Sequence, residues 1–124
     1  MKNYLFVLVG GGLGAAARYW VSDAAYRWLP PDFPYGNLVV NISACFLIGL
    51  LMTGMQDRFL VNPSLRVFLA VGILGGYSTF SSFSYETFML MKAGEPLRAM
   101  LNVVVSVVVG LLATAAGMII GNRF

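Results

Sequence analysis

The chain has 124 residues, of which 59% are hydrophobic and only 10% charged, with a formal net charge of +3. A soluble domain carries about a quarter charged residues, so a water-soluble globular fold is excluded. No histidine and a single cysteine leave no internal disulfide, no His/Cys zinc cluster and no histidine-based nucleophile triad.

The basic and acidic residues are scattered one at a time, so there is no clustered footprint for nucleic acid. A bilayer crossing needs about 20 mostly apolar residues. Four segments meet that length, and each is expected to be a helix. The first runs from about Tyr4 to Trp28, interrupted by Arg18 and Asp23. Its start is not that of a cleavable signal. A glycine-rich stretch and Arg18 follow Tyr4–Val9, where a signal would carry a small-residue cleavage site. Gly10 and Gly14 share a face with Arg18, a spacing read here as helix packing. Arg18 either draws anions to a vestibule or anchors the helix near the interface.

The cluster Pro30-Pro31-Asp32-Phe33-Pro34-Tyr35-Gly36 ends the first span and opens the second, about Asn37 to Met55. That span carries Asn37, Asn41, Cys45, Gly49 and Thr53 at steps of four, a small and polar stripe on one face. An amide at that depth needs partners. Asn41 serves either as an anion donor or as interhelical glue. Cys45 reads as a small packing residue.

A loop from Gln56 to Ser64 leads to the third span, about Leu65 to Met91. Its middle holds Gly75-Gly76-Tyr77-Ser78-Thr79-Phe80-Ser81-Ser82-Phe83-Ser84, followed by Tyr85 and Glu86. Two glycines and a run of hydroxyls are poor hydrocarbon-facing material. They predict a helix broken near its middle, which a bilayer tolerates only where protein or a water-filled cavity covers the freed backbone. The alternative is that Gly75-Gly76 allows close helix packing and the hydroxyls bond back to their own helix. Freed carbonyls hold small cations, and N–H groups or hydroxyls hold anions. Phe80 and Phe83, three apart, share a helical face. Their positive ring edges, beside hydroxyl donors, suit a partly dehydrated anion without a trapping charge; taken alone, the two rings read equally as ordinary packing. Glu86 is an intramembrane carboxylate, either a functional candidate by its position or a snorkelling or paired structural charge.

Lys92-Ala93-Gly94-Glu95-Pro96 precedes the fourth span, about Leu97 to Ile120. There Asn102, Ser106, Gly110 and Thr114 repeat the four-residue step, with valine, leucine and isoleucine on the other faces. Such a stripe faces protein or an aqueous path. The expected fold is an all-α membrane protein, one domain over residues 1–124. Four spans put both termini on one side with Lys2, Arg58, Arg66 and Arg123, against Arg18, Arg27, Lys92 and Arg98 on the other. Four against four gives no positive-inside orientation. Either partners hide the bias or the chain inserts both ways up, as an antiparallel homodimer.

Three motifs complete the sequence picture. The stretch Gly75–Ser84 resembles the GG-x-[ST]-T-F-S-[ST]-F-S signature of the CrcB/Fluc fluoride channels. Gly10-Gly11-Gly12-Leu13-Gly14-Ala15-Ala16-Ala17-Arg18-Tyr19 is similar to that family's G-G-x-x-G-A-x-x-R-[YF] motif. Gly36-Asn37-Leu38-Val39-Val40-Asn41 is similar to its G-T-x-x-V-N motif, with Asn37 where threonine is usual. The resemblance implies a dual-topology antiparallel homodimer in the cell (inner) membrane, with two pathways for passive F− export. It implies an aromatic box of Phe80 and Phe83 with Asn41 beside it. It implies a polar track including Ser81, Ser84, Ser106, Thr114 and Glu86, and a vestibule arginine at Arg18. Gly110 departs from members with a hydroxyl there. The resemblance also implies a structural Na+ at the dimer two-fold, on backbone carbonyls of Gly75 and Ser78.

Two rivals stand beside that reading. A small multidrug antiporter has similar size and span number, but needs a carboxylate in its first helix, where only Asp23 is available. A non-transporting membrane subunit would bury its polar stripes against one another.

Overall fold

Prolines and glycines place the helix ends. The computed structural model describes residues 2–57 and 63–123. Helix α1 (Lys2–Trp28) stops just before Pro30-Pro31, and α2 (Tyr35–Asp57) starts just after Pro34. Residues 58–62 of the expected second loop lie outside the described residues. Among the described residues the rest is helical: α3 (Pro63–Arg66), a π-helix (Val67–Leu74), α4 (Gly75–Tyr77), α5 (Phe80–Lys92) and α6 (Pro96–Gly121). Gly94 takes φ 79° in the turn after α5, a conformation open to glycine at little cost. Pro96 opens α6, where its missing N–H leaves nothing unpaired.

Four helical stretches are long and apolar enough to cross a membrane: Lys2–Trp28, Tyr35–Gly54, Pro63–Lys92 and Pro96–Gly121. The third is broken, as expected. The break falls at Ser78 (φ −83°, ψ 156°) and Thr79 (φ −148°, ψ 123°), both extended. Gly75 and Gly76 themselves stay helical. Serine and threonine leave a helix readily because their hydroxyls bond nearby backbone. Here the Thr79 hydroxyl caps α5, accepting from Ser82 N–H at 3.3 Å. The wide π-helical turns of Val67–Leu74 had no counterpart in the sequence reading.

Close approach of backbones holds the bundle together. Apolar side chains gain little by leaving lipid for protein, so packing and small residues dominate. Helix α1 packs on the π-helix and α4, and α2 packs chiefly on α6. A Cβ on Gly14 would run into the Ile73 carbonyl, and one on Gly76 into the Gly11 carbonyl. On the other side, Gly49 admits the Thr114 backbone, and Gly117 admits the Phe46 backbone. The packing role read for Gly10 and Gly14 agrees with their burial in α1. Between these two pairs lies a small core of Val40, Ala44 and Tyr77, flanked by Val21 and Leu74. Leu8, Leu13, Trp20, Val108, Leu111 and Leu112 are exposed on the outside. In water, so large an apolar exterior would be a liability; against lipid it is the expected surface. An ion pair ties the first loop to the start of α6: Arg98 Nη1 reaches Asp32 Oδ2 at 3.0 Å and donates to its backbone carbonyl at 3.1 Å.

Candidate functional site

The break leaves backbone groups without helical partners, and α2 supplies several of them. In a continuous helix Thr79 N–H would bond the Gly75 carbonyl. It instead donates to Asn41 Oδ1 at 3.0 Å. The same amide returns a bond, Nδ2 donating to the Thr79 carbonyl at 3.0 Å. Ser82 N–H, which would have bonded the Ser78 carbonyl, is taken by the Thr79 hydroxyl. The Gly75 and Ser78 carbonyls have therefore both lost their helical donors. Asn41 keeps one further amide hydrogen beyond the bond to Thr79.

These groups open onto one cavity of about 390 Å³ between α2, the broken span and α6. Asn41, Gly75, Ser78, Thr79, Phe80, Phe83, Cys45 and Ser106 are among the residues lining it. Phe80 and Phe83 lie together, ring centroids 5.4 Å apart and planes tilted by 47°. They share a face because α5 restarts at Phe80 and puts residue 83 one turn on. Phe80 is 79% exposed on the single chain. Among the described residues no cluster of His, Cys, Asp or Glu suits a metal ion. What the break offers a cation is carbonyl oxygen, at Gly75 and Ser78.

A second cavity of about 290 Å³ is lined by Ala15, Arg18, Tyr19, Ser22 and Asn37. Asn37 lies one turn from Asn41 on α2. It lines this cavity, and its Nδ2 donates to Glu86 Oε1 at 2.7 Å. The half-buried Glu86 is thus held by an amide rather than by a cation.

The remaining expected residues lie elsewhere. Ser81 and Ser84 sit on the exposed face of α5, with Ser81 Oγ 3.3 Å from the Thr79 hydroxyl. Thr114 is against Gly49, its hydroxyl donating back to the Gly110 carbonyl at 3.2 Å. It does not line the cavity that holds the phenylalanines. A Cβ on Gly110 would sit 3.4 Å from Cys45 Sγ.

Three connections were not anticipated from sequence. Asn102, only 2% exposed, donates to the Thr87 hydroxyl at 2.9 Å. Thr87 in turn donates to the Phe83 carbonyl at 2.8 Å, which ties the phenylalanine helix to α6. Ser43 meets Tyr77 across the other side of the break. A buried amide in an apolar helix was the available signal for Asn102; nothing in the spacing identified its partner.

Four apolar helices, one of them broken beside a partly polar cavity, define a multi-pass membrane protein. The model of the CrcB-like family, described as CrcB-like protein, Camphor Resistance, matches residues 5–118. The chain belongs to this family. It is 48% identical over 115 residues to the fluoride-specific ion channel FluC of Hydrogenovibrio crunogenus, covering 93% of this chain and 87% of that one. It is 47% identical over 117 residues to FluC of Geotalea daltonii, covering 94% of each. It is 45% identical over 124 residues to FluC of Methylococcus capsulatus, covering 99% of this chain and 54% of that relative, about half its length. These relatives are named as ion channels, a class that is not enzymatic.

Proposed function

We propose that this chain is a fluoride-selective ion channel that lets F− leave the cytoplasm passively across the cell (inner) membrane. The observation that carries the proposal is the single cavity where Phe80, Phe83, Asn41 and Ser106 meet at the helix break. The names of the relatives support fluoride as the ion. Fluoride is small and strongly hydrated, so every water it sheds needs a replacement. The remaining Asn41 hydrogen, hydroxyl groups and positive ring edges are such replacements. None carries a full positive charge, which would bind too tightly for conduction. External acid loads a cell with HF, which dissociates inside; a passive pathway then releases F− down its gradient.

The working unit in this reading is an antiparallel, dual-topology homodimer with two pathways. The balanced basic residues support it. So does the exposure of Phe80, Ser81 and Ser84 on the single chain, which leaves them for a second copy to cover. Ser81, Ser84, Ser106, Thr114 and Glu86 form the polar track, and Arg18 faces the vestibule. Thr114, bonded back to its own helix, has the least support of the set. Gly75 and Ser78 would hold a structural Na+ through carbonyls of both copies. The ion would supply a fixed positive charge at the break.

The test is fluoride efflux from loaded proteoliposomes, with chloride as comparison and a potassium shunt. Fast efflux of fluoride alone, without a pH gradient, is the expected result. A requirement for a pH gradient would return the protein to the antiporter reading. Reporter tags at the C-terminus are expected on both sides of the membrane, and a single side would sink dual topology.

A further inference from the structure

Two side chains of α2 bracket the broken helix. Asn41 bonds both the N–H and the carbonyl of Thr79, each at 3.0 Å. Ser43, two residues on, is 2.9 Å from the Tyr77 hydroxyl. The Ser43 hydroxyl donates to the Val40 carbonyl at 2.9 Å, so its one hydrogen is used and Tyr77 is the donor between them. Tyr77 is buried and belongs to the core with Val40 and Ala44. The last residue before the extended pair and the last residue within it are thus both held to one short stretch of α2. Ser78, between them, turns its N–H and hydroxyl back to the Leu74 carbonyl.

We infer that Asn41 and Ser43 are positioning residues, a two-point clamp by which α2 holds the third span open at Ser78–Thr79. Without the clamp, Thr79 N–H has a ready alternative partner, the Gly75 carbonyl one turn back. Asn41 therefore keeps that carbonyl exposed to the cavity, as well as offering its other hydrogen to the anion path. The clamp couples the carbonyl face of the break to the aromatic face. Its link to ion binding rests on the channel reading above; its geometry does not.

Amide hydrogen exchange by mass spectrometry tests it, on the full chain in nanodiscs, in a peptide spanning residues 77–83. Asn41→Ala is expected to slow exchange at Thr79 about tenfold, because the Thr79 N–H passes to the Gly75 carbonyl and the helix closes over the break. Faster exchange would mean that the break stays open without Asn41 and would overturn the clamp. Phe83→Ile, which alters the aromatic pair without touching the clamp, is expected to leave Thr79 exchange within about twofold. Both variants are expected to lose fluoride efflux, so efflux alone does not separate them. Unchanged exchange in Asn41→Ala would overturn the clamp and leave Asn41 as an anion contact only.

If Asn41→Ala does not fold, a second cycle decides. Ser43→Ala strands the buried Tyr77 hydroxyl and should lower the thermal midpoint. Adding Tyr77→Phe removes the stranded group and should restore most of the loss. Losses that simply add would overturn the clamp. Repeating the exchange on the parent with Na+ withdrawn separates the two readings: no response there removes the cation, while the Asn41 result still judges the clamp.

Discussion

The stripe of small and polar residues along α2 has two halves with opposite fates. Asn37 and Asn41 reach across to the broken span, bonding Glu86 and Thr79. Cys45, Gly49 and Thr53 face α6, near Gly110, Thr114 and Gly121. The spacing is the same throughout, so the difference comes from what each half meets. The broken span presents backbone groups that must be paired in hydrocarbon, and amides are suited to pair them. Helix α6 is continuous and satisfies its own backbone. Against it the useful residue is one with little side chain, which lets the two backbones touch. A stripe of one periodicity thus builds a polar site at one end and a packing seam at the other.

The largest effect is expected in the seam. Gly49→Val places side-chain atoms on the Thr114 backbone, a clash costing about 4 kcal/mol or more. No monodisperse protein should survive size-exclusion chromatography in detergent. A well-folded Gly49→Val variant would show that the seam is looser than its geometry.

The site half should respond in function rather than in folding. Phe83→Ile keeps an apolar side chain on α5, so the thermal midpoint should move by only a few degrees. Fluoride efflux should fall about a hundredfold, equivalent to about 2.7 kcal/mol. Efflux at the parent rate would remove the aromatic pair from the pathway.

A smaller change is expected at the bond between Asn37 and Glu86. Asn37→Leu takes the amide from Glu86, and a carboxylate hydrogen bond of this kind contributes about 1.5–3 kcal/mol. The thermal midpoint should drop accordingly, and Asn37→Thr, which keeps a donor hydroxyl, should lose less. Equal losses from the two would mean that the 2.7 Å bond contributes little.

The smallest effect belongs to Gly110→Ser. Its new Cβ would meet Cys45 Sγ at ordinary contact distance, 3.4 Å. Stability should stay within about 0.5 kcal/mol and efflux within about twofold. A large loss of either would place Gly110 in the tight seam with Gly49 instead of at its margin.

Much of this molecule was legible in its residues. Prolines at 30, 31, 34, 63 and 96 bracket the helices because a proline cannot continue a helix interior. The break was legible because a hydroxyl-rich run has no reason to face lipid. Its exact place was not: the glycines stayed helical, and the extended pair is Ser78 and Thr79. Gly76 packs closely against Gly11, the helix-packing role that a pair of glycines also allowed in the sequence. Asn41, Phe80, Phe83 and Ser106 were each singled out in the sequence, and the fold brings them to one cavity. Ser81, Ser84 and Thr114 were singled out as well, and within one chain they do not line it.

Hydropathy and periodicity alone determined that this is a four-span helical membrane protein, because lipid permits few other ways to satisfy a backbone. They also determined which faces were polar. Partners were decided only by tertiary structure. That Asn41 would clasp Thr79, that Asn37 would hold Glu86, and that Asn102 would reach Phe83 through Thr87 depends on helix crossing and rotation. A repeat of four residues fixes a face of a helix, but not the neighbour that face will meet.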